Sequence, residues 1–200
     1  MIPPAEPCSP KHRAILLAAT DLFAARGYGA VSMDAIAREA DVSKATLYAH
    51  FASKDRLFAA IVQVACQENV VPAGALPDPS VDIEAALTAI GGWILRFFLL
   101  ERTLAIHRLA VAESIRFPEL GRAFYENGPV AARTVLAEWM AGRAALSLPD
   151  PGVAAEQFLG LLRTGLYSRA TLGLAPAPAE PEIDAVVAAS VRTFLRAFGA

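Results

Sequence analysis

Apolar residues recur along this chain at helical spacing, in blocks separated by polar, glycine or proline breaks. Ile15, Ala18, Ala19, Leu22 and Phe23 share one face and predict a helix from about Pro10 to Arg26, closed by Gly27. Ile36, Ala37 and Ala40 make the stripe of a second, short helix behind Ser32, with Asp34 suited to the positive end of its dipole. Asp41, a residue that tolerates left-handed backbone, takes the turn that follows. Val42 points back to the core, and Ser43 caps a third helix whose Leu47 and Phe51, at i and i+4, bury its inner face. A fourth helix, from about Ser53 to Val70, carries Leu57, Phe58, Ile61, Val62 and Ala65.

After a proline- and glycine-rich linker at Val71–Ser80, helices are expected from Val81 to about Leu100 and from about Arg102 to Arg116. The next runs from Pro118 to near Asn127, where Gly128-Pro129 breaks it, and another reaches about Leu146. Helices at Val153–Leu172 and about Glu182–Phe198 flank a connector, Ala175 to Pro181. No stretch shows strand alternation or an internal repeat. The expected fold is all-α, with about nine to ten helices. It divides into a tail (1–9), a three-helix N-terminal domain (10–52), a connecting helix (53–71) and a larger helical domain (80–200).

Two short helices at a sharp angle, each with its own start signal, form a helix-turn-helix, the unit that lays its second helix in the DNA major groove. At 100° per residue, Lys44, Ala45, Tyr48 and Ala49 face away from Leu47 and Phe51. This slim face suits base edges: Ala45 and Ala49 against thymine methyls, Lys44 on a guanine edge or a phosphate. Ser43, Thr46 and His50 are expected to position the DNA backbone, and Ser32 is a further DNA-binding candidate. Lys54, behind Ser53 at the start of the next helix, is expected to hold a phosphate beside free backbone N–H groups. Alone, the pattern also fits a helical hairpin with a solvated face.

The neighbouring residues resemble the N-terminal DNA-binding domain of the TetR family of bacterial transcriptional regulators, from about His12 to Ile61. The resemblance rests on Ile15-Leu16-Leu17-Ala18-Ala19 with Leu22-Phe23, Arg26-Gly27-Tyr28, and Ser32-Met33-Asp34-Ala35-Ile36-Ala37. Its strongest part is Val42-Ser43-Lys44-Ala45-Thr46-Leu47-Tyr48-Ala49-His50-Phe51 with Ser53-Lys54-Asp55-Arg56-Leu57. Asp41 stands where glycine is frequent in the family, and Ala45 where Gly or Ala occurs. Arg108-Leu109-Ala110-Val111-Ala112-Glu113 with Phe117-Pro118-Glu119-Leu120 is similar to the AefR-like branch. The resemblance implies a homodimer paired through four helices, and an effector that shifts helix 4 and the spacing of the recognition helices.

Charge adds a modest amount. The chain has a net charge of −2, but residues 1–60 hold seven Lys and Arg against six Asp and Glu, and all three lysines (Lys11, Lys44, Lys54) lie there. No apolar run approaches the roughly 18 residues of a membrane span, and the N-terminus lacks the basic and apolar regions of a signal peptide. Two cysteines, Cys8 and Cys66, make no disulfide framework, so a cytoplasmic protein is expected; a redox role for Cys66 competes with a small buried hydrophobe. His12, His50 and His107 are scattered outside any metal-ligand spacing, and no phosphate-binding loop or nucleophile elbow is present. Neither an enzyme nor a cofactor is expected.

The last two helices are expected to carry the dimer interface through Phe158, Leu162, Leu166, Val187, Val191, Phe194 and Phe198, the alternative being a monomer core. Trp93, Phe97, Phe124, Trp139 and Tyr167, with the polar His107 and Arg163, are candidates for an effector pocket; singly, each also fits a core or satisfied surface position. Together these features point to a ligand-responsive regulator, a repressor reading a palindromic operator as a dimer and released by a small, largely apolar effector. The rival is a helical sequestering protein whose helix-turn-helix is not used for specific DNA binding. A helical enzyme using the same apolar cavity is a weaker rival.

Overall fold

The computed structural model describes residues 9–69, 76–174 and 178–200, with the side chains of 66–69 left aside. The expected tail up to Cys8, the first half of the Val71–Ser80 linker, the start of the 175–181 connector and the Cys66 thiol lie outside the described residues. Among those described, every regular element is a helix, and the only extended pairing is the isolated antiparallel bridge between Leu146 and Gly199. Among the described residues no single helix is long and apolar enough to cross a membrane. The chain parts into two compact units, one of residues up to 63 with 105–125, the other of 64–104 with 126–200.

The first unit holds α1 (Pro10–Arg26), α2 (Met33–Glu39), α3 (Lys44–His50) and the start of α4 (Lys54–Asn69). Ser9, expected in the tail, is the N-cap of α1 and accepts the His12 N–H. Gly27 ends α1 at φ 77°, a backbone that side chains resist. Ile15, Ala19, Phe23, Ile36, Leu47, Leu57 and Phe58 are buried, as their spacing predicts. The Tyr28 ring closes the cluster, 5.2 Å from Phe23 and 5.9 Å from Phe58.

Residues 105–125, expected with the C-terminal domain, pack in this first unit. They comprise most of α6 (Glu101–Glu113) and all of α7 (Pro118–Tyr125). Between these helices, Phe117 sets its ring edge-on to Tyr28 at 5.2 Å. A Cβ on Gly29 would meet that ring at 3.3 Å, so the loop after α1 approaches it closely.

The second unit is built from α5 (Ile83–Leu99), α8 (Ala131–Ala141), α9 (Pro151–Leu162), α10 (Gly165–Thr171) and α11 (Glu180–Phe198). Its core is Leu87, Ile90, Ile94, Leu136, Met140, Phe158, Leu162, Val187, Val191 and Phe194. Gly91 lets α5 lie tightly on its neighbours: a Cβ there would stand 3.2 Å from Val187 and 3.4 Å from Phe158.

Three expected boundaries move. Gly128-Pro129 does not break the helix; the backbone widens into a π-helical turn, Glu126–Val130, which accommodates a proline that lacks an N–H. The helix expected to reach Leu146 stops at Ala141 with Gly142 as its C-cap, and Arg143 beyond it donates to the carbonyls of Pro77 and Asp78. The single helix expected over Val153–Leu172 is two: it begins at Pro151 behind the Asp150 cap, then leaves helical backbone at Arg163. There the Arg163 guanidinium lies 4.4 Å from the Phe98 ring, and Gly165 is a weak helix former.

The residues expected at the dimer interface sit mainly in the core of the protomer, the alternative that their spacing also allows. Phe158, Leu162, Leu166, Val187, Val191 and Phe194 are all buried within one protomer, and Phe198 packs against the same core. Their apolar spacing was read correctly as a buried face, but the face covers α5, α8 and its own neighbours. Within one protomer the first six are enclosed, and Phe198 alone of the seven keeps part of its surface exposed.

Candidate nucleic-acid interface

Local chemistry positions α3. The Ser32 hydroxyl accepts the Ala35 N–H at 3.2 Å, starting α2, and the Ser43 hydroxyl accepts the Thr46 N–H at 3.0 Å, starting α3. Asp41 makes the turn at φ 51°, the only non-glycine in the left-handed region among the described residues. The Val42 N–H then bonds back to the Ala37 carbonyl at 3.0 Å, which joins the two helices. Leu47 and Phe51 are buried, so rotation of α3 about its axis would expose two large apolar groups.

That fixes what α3 shows to solvent. Lys44, Ala45, Tyr48 and Ala49 are all exposed on one side, Tyr48 by 44% despite its size. Ser32, Ser43 and His50 are exposed around them; Thr46 is half-buried, its hydroxyl 2.8 Å from that of Ser43. Lys44 is paired with Asp34 of α2 at 2.9 Å, and this hydrogen-bonded carboxylate raises the lysine pKa. Its Nζ also stands 6.0 Å from the Tyr48 ring. The sequence reading placed Asp34 at the helix dipole only; ten residues separate it from Lys44, and no local spacing signals the pair.

Lys54 is placed differently from its neighbours. Its Nζ donates to the Tyr28 carbonyl at 2.8 Å and the Val31 carbonyl at 2.9 Å, and sits 4.3 Å above the Tyr28 ring. Two of its three N–H groups therefore hold the loop between α1 and α2, and burial pulls its pKa down. The Tyr28 hydroxyl donates to Asp55, and burial followed by this carboxylate pushes the phenol pKa up. A staple runs from the start of α4 across the loop that leads into α2.

His50, at the end of α3, meets His12 of α1 edge-on at 5.6 Å, and His12 lies 4.8 Å from the Phe51 ring. Burial, then the neighbouring His50, lowers the His12 pKa from its ordinary 6.5. Between that lowered value and 6.5 the unfolded chain binds more protons, so stability rises with pH there and is lost as pH falls below 6.5. Melting from pH 7.5 to 5.5 should show a larger fall for the wild type than for His12→Phe; equal falls would remove His12 as the titrating group.

The expected pocket residues divide between the units. His107 and Phe124 belong to the first, with rings 5.8 Å apart. Trp93, Phe97, Trp139, Arg163 and Tyr167 belong to the second. There, Arg163 lies over the Phe98 ring at 4.4 Å and Tyr167 is tilted against it at 5.7 Å, while Phe97 is buried and Trp93 exposed. Trp139 is engaged in a latch: its indole N–H donates to the Pro77 carbonyl at 3.1 Å, and the Arg143 guanidinium covers its face at 4.1 Å. A small apolar cleft does open in the first unit, lined by Thr20, Phe23, Phe58, Ile61, Ile106 and Leu109 among others. None of the expected pocket residues lines it.

Two family models cover most of the chain. Residues 15–61 match the bacterial regulatory proteins of the tetR family, and residues 85–200 match the AefR-like transcriptional repressor C-terminal domain. Among solved structures, the flavonoid-responsive regulator FrrA is 39% identical over 94% of this chain and 97% of its own, with a TM-score of 0.77. A Mesorhizobium loti protein assigned to the TetR-family transcriptional regulators is 30% identical over 98% of this chain and 100% of its own, with a TM-score of 0.81. The transcriptional activator FasR of Mycolicibacterium smegmatis is 51% identical over 49 residues, 24% of this chain and 22% of that protein. The matched segments span less than half the length of such curated relatives. With a helix-turn-helix and a helical C-terminal domain matched in order along one all-α chain, this protein belongs to the TetR family of transcriptional regulators, in its AefR-like branch.

Proposed function

We propose that the protein is a cytoplasmic, homodimeric repressor that reads a palindromic operator and is released by a small, largely apolar effector. The observation that carries the DNA reading is the exposed Lys44, Ala45, Tyr48 and Ala49 face of α3, held by two serine caps and buried Leu47 and Phe51. A two-fold dimer would present two such faces, separated by roughly one helical turn of 34–36 Å. Ser32, Ser43, Thr46 and His50 are assigned to the phosphates flanking that face. The sign of regulation follows the repressor description of the C-terminal family. The similarity to the activator FasR covers only 24% of the chain, too little to carry the sign. Effector chemistry follows the similarity to FrrA and the aromatic content of the second unit around Phe98, Tyr167 and Arg163.

Self-association is assigned to the outer side of α9 and α11 instead of their buried faces. The Ser190 hydroxyl donates to the Leu161 carbonyl at 3.0 Å, so Gly160 and Ala189, both exposed, flank that junction. A Cβ on Gly160 would meet no heavy atom within 4 Å. Gln157 and Thr193 extend the same exposed strip, which is small enough for two copies to approach closely.

The test is selection of bound duplexes from a random library, followed by anisotropy of the selected duplex across a salt series. A palindromic product with steep salt dependence is expected. Tyr48→Ala should weaken it roughly tenfold to a hundredfold, the range for one base contact, with little change on random DNA. No enrichment, from folded dimer shown by mass spectrometry to hold no small molecule, would leave effector sequestration as the function.

A further inference from the structure

Lys44 is the only Lys or Arg on α3, and its charge is already taken up within the protein. Its Nζ lies 2.9 Å from one carboxylate oxygen of Asp34 and 3.1 Å from the other, with both side chains more than half exposed. The pair spans α2 and α3 on the side where Tyr48 is presented, rather than lying in the core. The chain as a whole is net −2, and Lys54 spends two donors on carbonyls.

We propose that Asp34 is a specificity-determining residue that works through Lys44, holding this cation back from the phosphates of non-cognate DNA. This inference rests on the DNA reading above and adds a residue to it. A lysine neutralises a phosphate and releases a counterion on any sequence, which strengthens non-specific and specific binding alike. Bidentate capture by Asp34 offers Lys44 the same kind of partner a phosphate does, so a random duplex gains little from it. At a cognate site Lys44 keeps Asp34 and turns its remaining N–H to an acceptor on a guanine edge, a contact set by geometry and not by net charge. Discrimination then comes from suppressing the wrong complex as well as from favouring the right one.

The experiment uses the full chain and two duplexes of equal length, the selected operator and a scrambled version, titrated by anisotropy between 50 and 200 mM salt. Proteins compared are the wild type, Asp34→Asn, Lys44→Met and the double variant, each checked for an unchanged melting profile. Asp34→Asn should steepen the salt slope on the scrambled duplex by about 0.9 for each subunit engaged, and tighten that complex roughly tenfold at the lowest salt. The operator complex should change less than about threefold, so the ratio between the two falls. In the Lys44→Met background the same change should have little effect, because the cation that Asp34 restrains is gone. An equal gain with and without Lys44 would mean that Asp34 merely repels phosphate, and an equal gain on both duplexes would mean that it carries no specificity; either overturns the proposal. If the wild type itself enriches no duplex, the regulator reading has failed and this inference fails with it, a result distinct from those two.

Discussion

Lys54→Met should lower the melting temperature by roughly 5–10 °C and leave the salt slope of duplex binding near that of the wild type. The position of the amino group is the cause. That group donates to the carbonyls of Tyr28 and Val31, and lies over the Tyr28 ring at 4.3 Å. A hydrogen bond to a charged group contributes about 1.5–3 kcal/mol, and removing the donor leaves two part-buried carbonyls without it. At about 2–4 °C per kcal/mol for a chain of this size, the loss is visible in any thermal scan. Methionine keeps the length and apolar stem, so the difference reports the ammonium. A residue that held a phosphate would behave oppositely, lowering the slope by about 0.9 per subunit with little effect on melting. A lysine behind Ser53 at the start of a helix suggests the phosphate role; the melt and the slope together decide between that and the staple.

This residue shows where sequence reasoning stops. Serine at 32 and 43, Gly27 after α1 and Asp41 in the turn act through bonds or backbone conformations within a few residues, and all four appear where the sequence puts them. The apolar stripes were equally legible, since a helical period states which face is buried. It does not state what covers that face. Val187, Val191 and Phe194 satisfy an interface pattern and a core pattern alike, and only the packing of α11 on α5 and α9 separates the two. Residues 105–125 are a sharper case: nothing in their composition says that Phe117 meets Tyr28, 89 positions earlier, because that contact is decided by tertiary fit. Trp139 likewise reads as an apolar wall until its indole N–H is seen on the Pro77 carbonyl. Lys44 shows the same gap at the site itself, since its partner Asp34 lies on another helix.

Two substitutions on neighbouring turns of α11 should separate core from interface. Phe194 is 1% exposed and packs edge-on against Phe158 at 5.2 Å, so Phe194→Ala should destabilise the fold by about 3–5 kcal/mol through lost transfer and a cavity. Ala189 points outward, next to the α9–α11 junction and the open Gly160. Ala189→Arg places a long cation there with no cost to one protomer, but on a two-fold axis the same surface meets its own copy, charge against charge. Helical content should be retained, light scattering at micromolar concentration should report a monomer, and operator affinity should fall by roughly a hundredfold or more as linked half-sites become independent. The affinity for a single half-site should be unchanged, since α3 is untouched. Were Ala189→Arg to stay dimeric, the α9–α11 strip would not be the self-association surface, and the partner face would have to be sought elsewhere on the second unit. Were Phe194→Ala to dissociate the dimer without loss of melting temperature, its burial would be an incomplete account of its role. The expected pattern is the crossed one, with stability lost at 194 and assembly lost at 189, because an arginine is harmless to a surface and damaging to a two-fold contact.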